Sequence, residues 1–214
     1  MWGRAAVRAG GASALLLLTA ACGGGGEAPE EARATAENAY SEVVPAAESS
    51  YTPTEFQGIA IDVPQDWAAT TEGGTLCMTP PGGQACGYGA VQVLPKAAAS
   101  DPGKWPKKGS AFNKEDGWTG GDKACLAPGA DGKKAQKAVF TVGKGELTQH
   151  ADGLKSHHRV WEVGCEGGAA FEVRMWFLPE SDVLVYVPAA DPAYAKVYDE
   201  VAASMDITEY KKNA

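Results

Sequence analysis

The sequence predicts an α+β domain: mainly antiparallel sheet with packed helices in a sandwich, closed by a C-terminal helix. Three observations carry that expectation. Phe171, Val173, Met175 and Phe177 alternate with Glu172, Arg174 and Trp176, the period-2 pattern of a half-buried strand. Tyr194, Val197, Tyr198, Val201 and Met205 then recur at helical spacing, with Lys196, Asp199 and Glu200 on the other side. The 27 glycines and 13 prolines among 214 residues favour many turns and exclude a long helical rod.

In chain order, Ile59, Ile61 and Val63 of GIAIDVP share one face of a strand that Pro64 ends. Gln65-Asp66-Trp67 makes a turn with an aromatic plug. Residues 76–78 and 89–94 read as the arms of a hairpin around a Pro-Pro-Gly-Gly turn. Residues 96–138 are rich in Gly, Lys and Pro and carry little periodicity, and strands are expected around 138–142 and 157–165. After the strand at 171–177, Leu178-Pro179-Glu180-Ser181 turns the chain and 183–187 returns antiparallel. Asp191 reads as a helix N-cap, with Pro192 at the first helical position. If Val173, Met175, Val183 and Val185 face the core, then Trp176, Leu184 and Tyr186 share the opposite face. Large apolar side chains there need cover, either from a second layer of the chain or from a partner.

GIAIDVPQDW, with the closing hairpin and helix, resembles the Mog1/PsbP-type sandwich over residues 56–209. That resemblance implies a scaffold for binding or assembly and brings no catalytic residues with it. The Ala/Gly-rich usage is also similar to that of small exported lipoproteins of high-GC Gram-positive bacteria.

Residues 1–22 read MWGRAAVRAGGASALLLLTAAC. Arg4 and Arg8 precede a ten-residue stretch, 12–21, dominated by Ala and Leu. Ten helical residues span about 15 Å, half of a roughly 30 Å hydrocarbon core, so residues 1–21 read as an export signal rather than a membrane span. Leu18-Thr19-Ala20-Ala21 before Cys22, with four glycines after it, resembles a bacterial lipoprotein lipobox, although Thr19 stands where the commonest form has Leu. The resemblance implies that the mature chain begins at Cys22, carries acyl chains, and is held on the outer face of the cytoplasmic membrane. The alternative is an ordinary secretory signal cleaved elsewhere. Residues 22–55 follow as a tether, in which 23–55 holds seven glutamates and one arginine. A single domain is expected over 56–209, with 210–214 as a tail.

The remaining cysteines, Cys77, Cys86, Cys125 and Cys165, are even in number, as befits an oxidising compartment. Of three possible pairings, the turn between Cys77 and Cys86 favours a bridge there, leaving Cys125 with Cys165; four buried thiols are the alternative. No Cys-x-x-Cys spacing points to zinc.

The formal net charge of −8 excludes general nucleic-acid binding, which requires a cationic surface. Charge is unevenly spread: residues 96–144 hold ten lysines and five acids, inside an otherwise acidic chain. Gly-x-Ser-x-Gly, phosphate-loop and His-Glu-x-x-His motifs are absent from the sequence. His157 and His158 are neighbours and point to opposite faces of a strand; a metal set would need His150, one of that pair, and Glu162. No cofactor or metal is expected.

The functional expectation is a lipid-anchored, non-catalytic binding or assembly module, with envelope proteins or an anionic wall polymer as partners. Two contact surfaces are candidates: Lys104, Trp105, Lys107, Lys108 and Trp118, or Trp176, Leu184 and Tyr186. Against the first stands the reading that its tryptophans plug the core. A small-ligand carrier and a metal-dependent envelope hydrolase are the rival functions.

Overall fold

The computed structural model describes residues 50–107, 109–118, 123–140 and 147–213. The signal segment, Cys22, the tether up to residue 49 and Lys108 lie outside the described residues. Among those described, the chain forms ten strands and three short α-helices. The strands are β1 (Tyr51–Phe56), β2 (Ile59–Pro64), β3 (Ala68–Glu72), β4 (Thr75–Thr79), β5 (Val91–Pro95), β6 (Ala135–Phe140), β7 (Leu147–Gln149), β8 (Lys155–Cys165), β9 (Ala170–Leu178) and β10 (Val183–Ala190). The helices are α1 (Ala97–Ser100), α2 (Ala195–Ala203) and α3 (Thr208–Asn213).

β1 and β2 form a hairpin of their own. The others make one antiparallel sheet in the order β3-β4-β5-β10-β9-β8-β6, with β7 pairing the start of β8 and β6 pairing its end. The fold is therefore mainly β, and the balanced α+β sandwich expected from the sequence is corrected. Strand alternation is strong in the centre, where β-branched and aromatic residues from β8, β9 and β10 face cover on both sides. Among the described residues, helix outside the four residues of α1 is confined to the segment after β10. There the Asp191 side chain accepts from the Ala193 N–H at 3.0 Å and opens a 3-10 turn (Pro192–Tyr194) before α2.

Two further differences concern the ends of the domain. β1 begins five residues before Phe56, within the stretch read as tether; only its last residue is buried, so its sequence pattern is faint. The stretch read as a tail from 210 belongs to α3, whose Tyr210 is buried. Gly58 makes that docking possible: its φ is +81°, and a Cβ there would lie 2.9 Å from the Tyr210 nitrogen.

The sheet separates two cores. On one face, Trp176, Val183, Val185 and Val187 pack against Ile59 and Ile61 of the β1–β2 hairpin and against Tyr198, Val201 and Met205 from α2 and the residues after it. On the other, Val173, Met175, Phe177, Leu184 and Tyr186 are covered by Trp105, Trp118 and Cys125 of the long connection after β5. This corrects the facing expected from sequence. Val185 pairs with Trp176, and Tyr186 with Met175, so directly opposed residues share a face. Trp176 is thus separated from Leu184 and Tyr186 by the thickness of the sheet. A one-residue choice of register across the β9–β10 hairpin decides this, and alternation within each strand leaves that choice open.

Candidate functional site

The site singled out by sequence, the lysine-rich connection between β5 and β6, lies over the β8–β9–β10 face. The connection starts with α1, whose Ala98 and Ala99 N–H groups donate to the Asp182 carboxylate at 2.6 and 3.0 Å. Asp101-Pro102-Gly103 then turns the chain, and the Lys104 N–H donates to the Asp101 carbonyl at 3.1 Å. A second turn is built by the Asp116 carboxylate, which accepts from the Asn113 backbone N–H at 2.6 Å and from its side-chain amide at 2.8 Å. The two turns are joined by the Gly117 N–H donating to the Lys104 carbonyl at 2.9 Å. Gly117 has φ +91°, and a Cβ there would meet Trp105, Trp161 and the Met175 sulfur at 2.7–2.9 Å. Only glycine lets the backbone lie that close to the sheet.

This scaffold drives three aromatic rings into the sheet face. Trp105 packs edge-on to Tyr186, with ring centroids 5.5 Å apart, and lies 6.0 Å from Phe177. Phe112 meets Phe177 at 5.6 Å and His157 at 4.6 Å. Trp118 stands edge-on to Phe171 at 6.0 Å. Trp105, Trp118, Leu184 and Tyr186 are all buried, as is Trp176 on the far face, so the sheet residues are covered by the chain itself and the tryptophans are plugs. None of these five offers a contact surface. Of the lysines, Lys107 is exposed and Lys104 is half-buried.

Lys104 has unusual surroundings. Its Nζ lies 4.3 Å from the centroid of the Tyr186 ring and 4.6 Å from that of Trp105, and it donates to the Tyr186 hydroxyl oxygen at 3.3 Å. Burial, together with the nearby Lys123 ammonium, brings its pKa down to about 8; Asp101 opposes the shift. Burial pushes the Tyr186 phenol well above its ordinary value. Lys123 itself lies 5.5 Å over the Trp118 ring. Sequence reasoning placed Lys104 in a surface and missed its coupling to Tyr186, Lys123 and Asp101. The Asp101-Pro102-Gly103 turn signals a reversal at that point, but nothing local says which strand the next residues will meet.

The histidines are not gathered. The His150 Nδ1–H donates to the Ala202 carbonyl at 2.7 Å beneath the end of α2. His158 stacks on Trp176, with centroids 4.5 Å apart and planes 6° from parallel. His157, one residue away, faces Phe112 on the opposite side of the sheet. Glu162 is exposed further along β8. Among the described residues no group of three or more His, Cys, Asp or Glu side chains is placed to hold a metal ion. Burial, with Arg174 and Arg159 nearby, lowers the His158 pKa to about 4.

Both expected disulfides are present. Cys77 and Cys86 have Cα atoms 5.3 Å apart, and Cys125 and Cys165 5.6 Å. Gln92, not Cys86, stands opposite Cys77 across the β4–β5 pair; Cys86 lies in the connecting loop, and its carbonyl accepts from the Gln92 amide at 3.3 Å. The second bridge fastens the long connection to the end of β8.

An open cleft of about 530 Å³ lies at one end of the sheet. Leu154, Leu178 and Tyr210 supply apolar wall, and Lys155, His157 and Lys211 supply polar groups. Against known proteins, no family model matches the chain and no curated protein is similar to it.

Proposed function

We propose that this protein is a lipid-anchored, extracytoplasmic binding or assembly module that performs no catalysis. One observation supports the reading most directly. Four of the five cysteines pair into two disulfides, and the one left over is Cys22, at the end of the apolar stretch and before four glycines. Paired cysteines belong to oxidising compartments, and an odd cysteine at that place is the residue a lipoprotein acylates.

The contact surface in this proposal is the outer side of the β5–β6 connection. Its rings point inward, so its exposed charge is what a partner meets: Lys107 and Lys114, with Lys133, Lys134 and Lys137 at β6, outnumber the exposed Asp101, Glu115 and Asp131. Amines without accessible rings suit a polyanion, such as an anionic wall polymer, or an acidic protein surface. The test is cross-linking on intact cells, with recovery of the tagged protein and identification of what travels with it. A recurrent partner that is lost with Cys22→Ala, and reduced at least fivefold in Lys107→Glu/Lys114→Glu, is the expected result. Undiminished recovery with the lysine variant overturns the surface, and no acyl group on Cys22 in the mass of the intact protein overturns the anchor.

A second reading, small-ligand carriage, draws support from the cleft at Leu154, Leu178 and Tyr210, whose volume falls within the roughly 300–1,000 Å³ of small-molecule sites.

A further inference from the structure

We infer that the cleft at the end of the sheet binds small amphipathic carboxylates, its apolar wall taking the body of the ligand and Lys155 with Lys211 taking the head. The inference rests on the carriage reading of that cleft and gives it a ligand class. The walls are fixed by the fold itself. The Asp152 carboxylate accepts from the Leu154 N–H at 2.9 Å and from the Ile207 N–H at 3.1 Å, which ties the start of β8 to the residues leading into α3. The Tyr210 N–H donates to the Gly58 carbonyl at 2.8 Å and seats α3 on the β1–β2 hairpin. The third part of the lining is the β9–β10 turn, Pro179-Glu180-Ser181. Asp182 holds it, through a carboxylate that accepts from the Ala98 and Ala99 N–H groups. A cleft built this way loses little affinity to its own ordering.

The lining decides the ligand class. Its volume of about 530 Å³ equals the liquid volume of roughly 18 water molecules, room for a ligand of about a dozen heavy atoms. Leu154, Leu178 and Tyr210 present carbon to that space. Two cations reach it from different elements, Lys155 from β8 and Lys211 from α3. Among the described residues neither ammonium is within ion-pair distance of an acid, whereas the next lysine of α3, Lys212, is paired with Glu209 at 2.5 Å on its own helix. His157 adds no charge at physiological pH, because burial and the Arg159 guanidinium both disfavour its protonation. Glu180, exposed on the turn, is the single acid among the described lining residues. Two ammonium groups against one carboxylate favour an anionic head over a cationic one. A carboxylate accepts charge-assisted hydrogen bonds from both lysines while its hydrocarbon lies against the wall; a bare inorganic anion uses only the lysines.

The probe is phenylbutyrate, a phenyl ring and short chain ending in a carboxylate. Phenylbutylamine and phenylbutyramide carry the same body with a cationic and a neutral head. Binding to the full chain in non-ionic detergent is measured by titration calorimetry, with detergent alone as the blank. The acid is expected to bind with a dissociation constant below about 1 mM, and the amine and amide at least about tenfold more weakly. Lys155→Glu/Lys211→Glu alters two exposed side chains and is expected to reverse the order, so that the amine binds better than the acid, a gain that an unfolded chain cannot show. Ser181→Trp puts a ring into the lining and is expected to weaken the acid at least about tenfold. If the unaltered chain binds the amide or the amine as tightly as the acid, the carboxylate class is overturned and carriage stands. Acid binding untouched by both variants overturns this cleft as the site. Absence of binding by all three overturns carriage together with the ligand class.

Discussion

The two faces of the sheet are covered by different kinds of structure. One carries a hairpin and helices, with Ile59, Ile61, Tyr198, Val201 and Met205 interlocked over Trp176 and the valines of β10. The other carries a connection whose described residues hold almost no regular structure beyond the four residues of α1, held down by single rings and one disulfide. Regular elements satisfy their own backbone and can spend whole side-chain rows on packing. The irregular cover must satisfy its backbone turn by turn, through Asp101, Asp116 and Asp182, and so has few rings left to bury. That difference leaves lysines crowded on the irregular side, one of them forced against aromatic rings.

The comparison can be broken at several strengths. Trp176→Ala opens a cavity where the regular face is densest and is expected to cost about 4 kcal/mol in urea unfolding. Replacing Cys125 and Cys165 by Ala frees a 40-residue separation, for which chain entropy sets a loss near 4 kcal/mol. Its signature differs from that of Trp176→Ala: hydrogen exchange is expected to rise across 101–118, while β1, β2 and α2 keep their protection. Uniform loss of protection over both faces would show that the two covers unfold as one.

Acid acts on the regular face through His158. Its pKa falls from an ordinary value near 6.5 to about 4 on folding, so between those values the unfolded chain binds more protons than the folded one. The contribution is complete above pH 6.5 and is lost progressively as pH falls to about 4, by roughly 2–3 kcal/mol. His158→Phe keeps a ring against Trp176 and is expected to flatten unfolding free energy against pH in that window. An unchanged slope would assign the acid sensitivity elsewhere. The smallest effects separate two indoles on the irregular side. The Trp161 N–H donates to the Lys114 carbonyl at 2.9 Å, so Trp161→Phe is expected to cost about 1–2 kcal/mol. The Trp118 N–H is buried with no hydrogen-bond partner among the described residues, so Trp118→Phe loses ring volume but no hydrogen bond and is expected to cost less than Trp161→Phe. Equal costs would contradict the hydrogen-bond assignment.

The same division decides what could be read from the sequence. The β9 alternation, the return strand after Pro179, the Asp191-Pro192 start and the helical face of Val197, Tyr198 and Val201 all correspond to elements of the regular face and centre. Local periodicity records burial wherever an element meets its cover along its whole length. β3 escaped because all five of its residues are exposed, and β7 because it has only three. The pairing of Trp176 with Val185 escaped because register is fixed between strands, not within one. For the site, the aromatic and lysine residues were legible as a group, but not the placement of Trp105 and Lys104 against Tyr186, a contact across 82 residues set by the path of an irregular loop.

The order of strands also carries a kinetic consequence. β10, near the end of the chain, is inserted between β5 and β9, so β3, β4 and β5 have no place in the sheet until the last of the ten described strands is available. A chain delivered from its N-terminus must therefore hold its first hairpins as unclosed edges while nearly ninety further residues arrive between Pro95 and Val183. The interval before β10 arrives is when this protein is most open to wrong partners, and when a chaperone acting on exposed strands would shape its yield.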